Sequence, residues 1–63
     1  MPESPIDTFN RLRTLVNAAE DDVNKAASGN KAAGTRVRKA MQEIKAAAQE
    51  LRANVLESRK DQV

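Results

Sequence analysis

Apolar residues recur along this chain at alternating spacings of three and four, which is typical of a helix that packs one face against a partner. In the first half these residues are Phe9, Leu12, Val16, Ala19, Val23 and Ala26. The second half contains the seven-residue repeats VRKAMQE, IKAAAQE and LRANVLE. If Val37, Ile44 and Leu51 take position a of a heptad, positions a, d and e of these repeats form an apolar face broad enough for a helical bundle. The pattern predicts an all-α protein with two amphipathic helices.

The start of the first helix is marked by residues that favour helix N-termini. Ser4 is a good N-cap, Pro5 fits the first helical position, and Asp7 lies where a capping box places its acid. The first helix is therefore predicted over about residues 5–28, after an N-terminal extension of residues 1–4.

The segment Ser28-Gly29-Asn30 is the strongest interruption inside the chain. Glycine commonly follows the C-terminus of a helix, and asparagine is a favoured N-cap. A second helix is predicted over about residues 31–60, antiparallel to the first because the connection is short. Residues 1–63 then form one helical-hairpin domain, with residues 61–63 frayed. One continuous helix is the alternative, because the heptad phase is unbroken from Phe9 to Leu51.

The composition makes a second copy of the chain the expected source of stability. The chain has 63 residues, no cysteine, no histidine and one aromatic residue. A chain this short buries only about 60% of the surface that its unfolded form exposes, and it lacks the residues for disulfides or a zinc site. We therefore predict a homodimer or homotetramer, which forms a helical bundle. The contacts would come from Phe9, Leu12, Val16, Val37, Met41, Ile44, Leu51 and Val55.

The same composition argues against several classes of function. Without histidine, cysteine, tyrosine or a glycine-rich phosphate loop, the chain lacks the groups that an enzyme would use. The adjacent carboxylates of Glu20, Asp21 and Asp22 point in different directions on a helix, so pairing with Arg36 or Arg38 across the hairpin is favoured over metal binding. No apolar run approaches the roughly 20 residues of a membrane span. We expect a cytoplasmic protein with no metal, no cofactor, no small-molecule substrate and no membrane partner.

Basic residues are concentrated in the second half of the chain. Residues 1–30 carry three bases and five acids, a net charge of −2, whereas residues 31–63 carry eight bases and four acids, a net charge of +4. Position b of the heptad is basic in every repeat, and glutamate occupies position g on the opposite flank of the apolar face. We call the row at position b the basic edge; it consists of Lys31, Arg38, Lys45, Arg52 and Arg59. At ~1.5 Å per residue it is ~40 Å long, and aligned bases of this kind favour the phosphates of a polyanion.

The first turn of the second helix strengthens this interpretation. The stretch GNKAAGTRVRK, residues 29–39, holds four bases and no acid at a helix N-terminus, where acids are ordinarily stabilising. Free N–H groups and the positive end of the helix dipole favour an anion there. The bases are Lys31, Arg36, Arg38 and Lys39. Thr35 can add a hydrogen bond. Gly34 lies on the core side of the helix, so close packing against the first helix is favoured over close approach of a phosphate.

Two further interpretations stay open. Charged flanks are ordinary in coiled coils, where they set solubility and pairing, so the alternative function is a structural oligomerisation or adaptor module that binds only protein. Asn10, Asn17 and Asn24 also recur every seven residues, and they are interpreted as an exposed polar strip.

The segment GNKAAGTRVRKAMQEIKAAAQELR, residues 29–52, resembles the chlamydial linker-histone-like family of bacterial histone-like proteins. The resemblance implies a nucleoid-associated protein that binds and compacts DNA and associates with itself. The matching positions are Lys31, Arg36, Arg38 and Lys39, followed by Lys45 and Arg52. Longer members continue into a basic tail rich in lysine and alanine, whereas this sequence ends at Val63, so a short form with weaker DNA condensation is expected.

Residues and resemblance together predict a histone-like protein of the nucleoid that binds double-stranded DNA without sequence specificity and associates with itself. The predicted DNA contacts are Lys31, Thr35, Arg36, Arg38, Lys39, Lys45, Arg52 and Arg59.

Overall fold

The computed structural model describes the backbone of residues 4–61 and the side chains of residues 4–57. Its two α-helices, α1 over Pro5–Ala27 and α2 over Lys31–Asp61, pack side by side in an elongated hairpin of about 50 × 18 × 14 Å. The predicted all-α helical hairpin is confirmed, and both helices end within one residue of the predicted positions. The predictions for residues 1–3, for residues 62 and 63, and for the side chain of Arg59 lie outside the described residues.

Helix α1 begins as its sequence predicts. Ser4 is the N-cap, with extended backbone angles (φ −72°, ψ 158°), and its hydroxyl oxygen accepts a hydrogen bond from the Asp7 N–H at 3.2 Å. Pro5 occupies the first helical turn, where its missing N–H leaves no hydrogen bond unmade. Asp7 adds a negative charge to the positive end of the helix dipole.

The turn between the helices is a Schellman motif followed directly by a new N-cap. The Asn30 N–H donates to the Lys25 carbonyl and the Gly29 N–H donates to the Ala26 carbonyl, both at 3.0 Å. Gly29 has φ +99°, a conformation that residues with a Cβ rarely adopt. The Asn30 side-chain oxygen then accepts a hydrogen bond from the Ala33 N–H at 2.9 Å. These bonds explain why the chain reverses here although its heptad phase would fit one continuous helix.

Replacing Gly29 with alanine should destabilise the hairpin by about 1 kcal/mol, because the Cβ disfavours a positive φ. The matched control is Gly34→Ala within α2, where an added Cβ meets nothing within 4 Å. That substitution should instead stabilise the fold by about 1 kcal/mol, the helix-interior cost of glycine relative to alanine. Urea unfolding followed by circular dichroism, at a protein concentration low enough to keep the chain monomeric, measures both changes. Shifts of the same sign would contradict the assigned role of Gly29.

The interior between the helices consists mostly of small side chains. The buried residues are Ala19, Ala33 and Ala47, together with Thr8, which is fully buried. They alternate with half-buried residues: Leu12, Leu15, Asp22 and Ala26 in α1, and Val37, Ala40, Ile44, Leu51 and Asn54 in α2. Alanine at these positions lets the helices approach closely, but it buries little apolar surface, so the isolated hairpin is marginally stable.

A polar contact fixes the register of the hairpin at its open end. The Thr8 hydroxyl donates to the Ser4 carbonyl at 3.2 Å and accepts a hydrogen bond from the Asn54 side-chain amide at 2.6 Å. Asn54 continues the α2 row that holds alanine at residues 33, 40 and 47. Because a shift of one turn would break the hydrogen bond between Asn54 and Thr8, this contact favours one pairing of the helices.

The apolar residues of α1 divide between two faces. Leu12, Ala19 and Ala26 face α2, whereas Phe9, Val16 and Val23 lie outside the helix–helix contact and are 43–49% exposed. The cause is a rotation of α1, which packs positions d and g against α2 and leaves position a on the surface. Met41, Ala48 and Val55 of α2 are exposed as well. We call these six residues the exposed apolar face: Phe9, Val16, Val23, Met41, Ala48 and Val55.

The eight predicted oligomerisation residues are therefore distributed over both surfaces. Half of them are half-buried between the helices of one hairpin: Leu12, Val37, Ile44 and Leu51. The other half belong to the exposed apolar face: Phe9, Val16, Met41 and Val55.

Candidate nucleic-acid interface

The basic edge lies along one side of α2. Because α2 is continuous from Lys31 onward, residues seven apart return to nearly the same side of the helix. The side chains of Lys31, Arg38, Lys45 and Arg52 are all exposed, and they span ~30 Å at ~1.5 Å per residue. None of these four takes part in an ion pair among the described residues. Their charges are therefore available to a partner.

The first half of the basic edge borders a surface depression at the turn. Lys31 and Arg38 line it together with Gly34 and Thr35. The first turn of α2 contains no acid. The Thr35 hydroxyl donates to the Lys31 carbonyl at 3.4 Å, so its oxygen, rather than its proton, faces any further partner.

Gly34 does not have the packing role that was expected against the first helix. An ideal Cβ built on it meets nothing within 4 Å, so α1 does not approach closely enough to require glycine. The prediction of close packing within the hairpin is wrong, because α2 turns this side of its first turns towards the depression. Gly34 instead leaves open space beside Lys31 and Arg38.

The second half of the basic edge also borders a surface depression, farther along α2. Lys45 and Arg52 line one side of a shallow surface together with Ala48 and Gln49. Ala48 belongs to the exposed apolar face, so bases and apolar side chains lie next to each other on the surface of α2. Lys39 is exposed, one residue farther around the helix than Arg38.

Arg36 differs from the other predicted contacts because it joins the two helices. Its Nε donates to an Asp22 carboxylate oxygen at 2.9 Å, which confirms the predicted pairing of the acidic cluster of α1 with this part of α2. Arg11 pairs with Glu50 on the same side of the hairpin. Within α1, Lys25 pairs with Asp21 at 3.0 Å. Exposed pairs of this kind contribute at most about 1 kcal/mol each, and here they hold bases that lie away from the basic edge.

Val23 belongs with the apolar contact residues although the sequence interpretation left it out of the predicted set. It lines one groove with Val16 of α1 and with Met41 and Ile44 of α2. The signal was present in the spacing, because Val23 continues the row of Phe9 and Val16. Its exposure depended on the rotation of α1, which spacing alone does not determine.

Fold and surface together define a small two-helix protein with one basic edge, whose described side chains form no ion pair with the described acids. Among the described residues there is no helix long and apolar enough to cross a bilayer, and no cluster of three side chains able to hold a metal ion.

The model of the family described as Histone H1-like protein Hc1 matches residues 6–61 of this chain. The chain therefore belongs to this histone H1-like family, and the resemblance seen in its sequence is confirmed. Membership supports a general role as a DNA-binding, nucleoid-associated protein of architectural rather than enzymatic type. Comparisons with curated proteins and with solved structures gave no match.

Proposed function

We propose that this protein binds double-stranded DNA without sequence specificity by placing its basic edge along the phosphates, and that it does so as an oligomer. The observation that carries the proposal is the row of exposed bases on one continuous helix, none of which is neutralised by an ion pair among the described residues. Lysine and arginine that contact phosphates release condensed counterions, and this release is the main source of non-specific affinity for DNA.

The distribution of ion pairs separates bases that stabilise the hairpin from bases that are free to bind DNA. Arg11, Lys25 and Arg36 are each held by a carboxylate. Lys31, Arg38, Lys45 and Arg52 have no carboxylate partner within the described part of the chain, and they lie on one side of α2. We assign Arg36 to the hairpin, keep Arg59 as the last member of the basic edge, and retain Lys39 as a peripheral contact beside it. Thr35 can donate to a phosphate only when its hydroxyl leaves the Lys31 carbonyl.

The turn provides a favourable position for one phosphate. Lys31 and Arg38 are exposed on the first two turns of α2, and the first turn adds the positive end of the helix dipole without an acid to offset it. The four bases of GNKAAGTRVRK cost helix stability when no anion is bound, and a bound phosphate would offset that cost.

The described part of the basic edge carries no group that recognises nucleobases. The one aromatic residue, Phe9, lies on α1 beneath the guanidinium of Arg13, which is 5.1 Å from the ring centroid. It therefore provides no stacking platform beside the basic edge, and contacts from lysine and arginine to phosphates carry no sequence information.

Self-association is supported by what the hairpin leaves uncovered. Its interior is built from alanines and one threonine, while five large apolar side chains of the exposed apolar face are 41–49% exposed. A homodimer or homotetramer would bury these side chains and multiply the number of bases along bound DNA.

Fluorescence anisotropy with two duplexes of unrelated sequence and equal length tests the lack of specificity. The two dissociation constants should agree within about threefold, because phosphate contacts dominate. A single strand of the same length should bind more weakly, because the protein presents no stacking platform. A preference of 100-fold or more for one duplex would contradict the proposal.

A further inference from the structure

We propose that two copies of the chain pack their exposed apolar faces together around a two-fold axis that crosses the hairpin between Val16 and Lys45. In this dimer α1 lies antiparallel on α1 of the second copy, and α2 lies antiparallel on α2. The two basic edges then lie side by side and form one composite strip. This inference rests on the proposed DNA binding for its function, while the arrangement itself rests on surface complementarity.

The level of the axis follows from contacts inside the hairpin. Arg11 of α1 lies opposite Glu50 of α2, and Asp22 lies opposite Arg36. Between these two pairs, Val16 is level with about Ile44, the residue before Lys45, and Val16 and Ile44 line the same groove. A two-fold axis at this level passes close to the middle of the apolar row of α1 and the middle of the basic edge of α2.

Helix α1 is complementary to itself about this axis. Phe9 and Val23 lie seven residues to either side of Val16, so Phe9 of one copy meets Val23 of the other. Beside this row on α1, Arg13 faces Glu20 of the second copy and Ile6 faces Ala27 of the second copy. Ile6 is 73% exposed in the single hairpin, and Glu20 forms no ion pair among the described residues. Both would gain partners that the hairpin alone does not provide.

Helix α2 is complementary to itself about the same axis. Met41 meets Ala48 of the second copy, and Val55 meets Gly34, so a large exposed side chain faces a small one in each case. The open space that an added Cβ would find at Gly34 is then the space that Val55 of the second copy enters. Interfaces with this match of large and small residues pack to the density of protein interiors.

The other two-fold pairing of the same faces would place α1 on α2 of the second copy. Arg13 would then lie near basic residues of that copy, whereas the antiparallel α1–α1 contact gives Arg13 an acid, Glu20. The antiparallel arrangement also brings the two basic edges together, and their mutual repulsion is the part of the interface that a bound polyanion relieves. Cross-linking through Val16 distinguishes the two pairings, because Val16 meets its own copy only in the antiparallel α1–α1 contact.

In this arrangement both copies contribute a basic edge to one DNA-binding strip. Lys45 lies near the axis and in the middle of its row, so the two basic edges run antiparallel and side by side over ~40 Å, about 12 base pairs at ~3.4 Å each. The aligned bases repel one another in the free dimer, and a bound duplex removes that repulsion. DNA therefore tightens the dimer, and by reciprocity the dimer binds DNA more tightly than the single hairpin does.

A charge exchange tests the α1–α1 contact without DNA. Arg13→Glu and Glu20→Arg should each weaken dimerisation by about tenfold, because each variant creates like-charge contacts at two symmetric places. The double variant restores both pairs in reversed orientation, so its dimer constant should return to within about threefold of the original. Residues 13 and 20 are seven apart on one helix and do not pair within a hairpin. Sedimentation equilibrium gives the constants, and additive weakening in the double variant would overturn the arrangement.

Cross-linking places the axis directly, since the chain has no cysteine of its own. Val16→Cys should form a disulfide-linked dimer on mild oxidation, because the two Val16 positions meet at the axis. The matched control Ala18→Cys is also exposed on α1 but points away from the interface, so it should stay monomeric on denaturing gels. No cross-link through Val16 in a protein that still binds duplex DNA would overturn the arrangement and leave the proposed function intact. A cross-linked dimer that does not bind a 14-base-pair duplex would overturn the proposed function and the composite strip.

Discussion

Replacing Arg38, Lys45 and Arg52 by glutamine will lower the affinity for duplex DNA by about 100-fold or more at low salt, because each loses a phosphate contact. These side chains are exposed and unpaired among the described residues, so the hairpin should keep its helicity and its unfolding midpoint. In the proposed dimer the same change removes repulsion between adjacent bases. Self-association should therefore stay equal or become stronger.

The matched control changes the net charge by the same amount on the outward side of α1. Thr14→Glu, Ala18→Glu and Lys25→Gln together also lower it by three, and all three side chains are exposed and distant from the basic edge. This variant should keep its DNA affinity within about fivefold of the original, since long-range charge is largely screened at ~0.1 M salt. Anisotropy measures binding, and light scattering measures mass. Equal losses in both variants would show that total charge matters rather than the basic edge, and loss of assembly in the glutamine variant would favour the protein-binding adaptor.

Replacing Val16 by aspartate will dissociate the oligomer, because the substitution places a carboxylate in the middle of the exposed apolar face. Val16 is 49% exposed in the hairpin, so the isolated fold tolerates the change, whereas a contact between copies does not. A buried and unpaired charge is strongly unfavourable, so the association constant should fall by about 100-fold or more. Because association stabilises the folded state by mass action, the thermal midpoint of the original chain should rise with protein concentration, and that of the variant should not.

Ala18→Asp is the control for this change. It adds the same carboxylate on α1, also four residues before an acid, but on the side away from the exposed apolar face. Its midpoint should keep the concentration dependence of the original chain. If the original chain shows no such dependence, or if both variants lose it, the exposed apolar face is not the contact between copies.

The sequence predicted the helices and the turn well because local chemistry determines them. Ser4 and Pro5 define a helix start through one hydrogen bond and one fixed φ, and Gly29 with Asn30 satisfies both helix ends at the turn. These preferences act within four or five residues, so spacing and residue type are sufficient. The basic edge was predictable for the same reason, since residues seven apart share one side of any continuous α-helix.

The packing between the helices was less predictable, because it depends on how α1 is rotated about its own axis. The apolar pattern grouped Val16 with Ala19, and both positions are compatible with a heptad core. Thr8 and Asp22 favour the observed rotation, since Thr8 accepts a hydrogen bond from Asn54 and Asp22 pairs with Arg36 across the hairpin. Polar partners at residue separations of 46 and 14 leave no periodic signal, so they are visible only in three dimensions.

The candidate site was also predictable only in part. The row of basic residues was evident from their spacing, but the spacing did not show which of them pair with acids of the hairpin. Arg36 and Arg38 look equivalent in the sequence. Among the residues that the structure describes, Arg36 reaches a carboxylate of α1, whereas Arg38 lies beside Lys31 and Gly34 without an ion pair. The sequence placed Gly34 against α1, which is wrong, because a glycine in a helix indicates close approach without showing which group approaches.

The salt dependence of DNA binding tests the central claim most directly. Anisotropy with a short duplex at several salt concentrations gives the slope of log K against log salt, which is about −0.9 for each phosphate neutralised. The five bases of the basic edge predict a slope of about −4 to −5 per subunit. A slope near zero, or no binding at low salt, would contradict the account that the basic edge binds the phosphates of DNA.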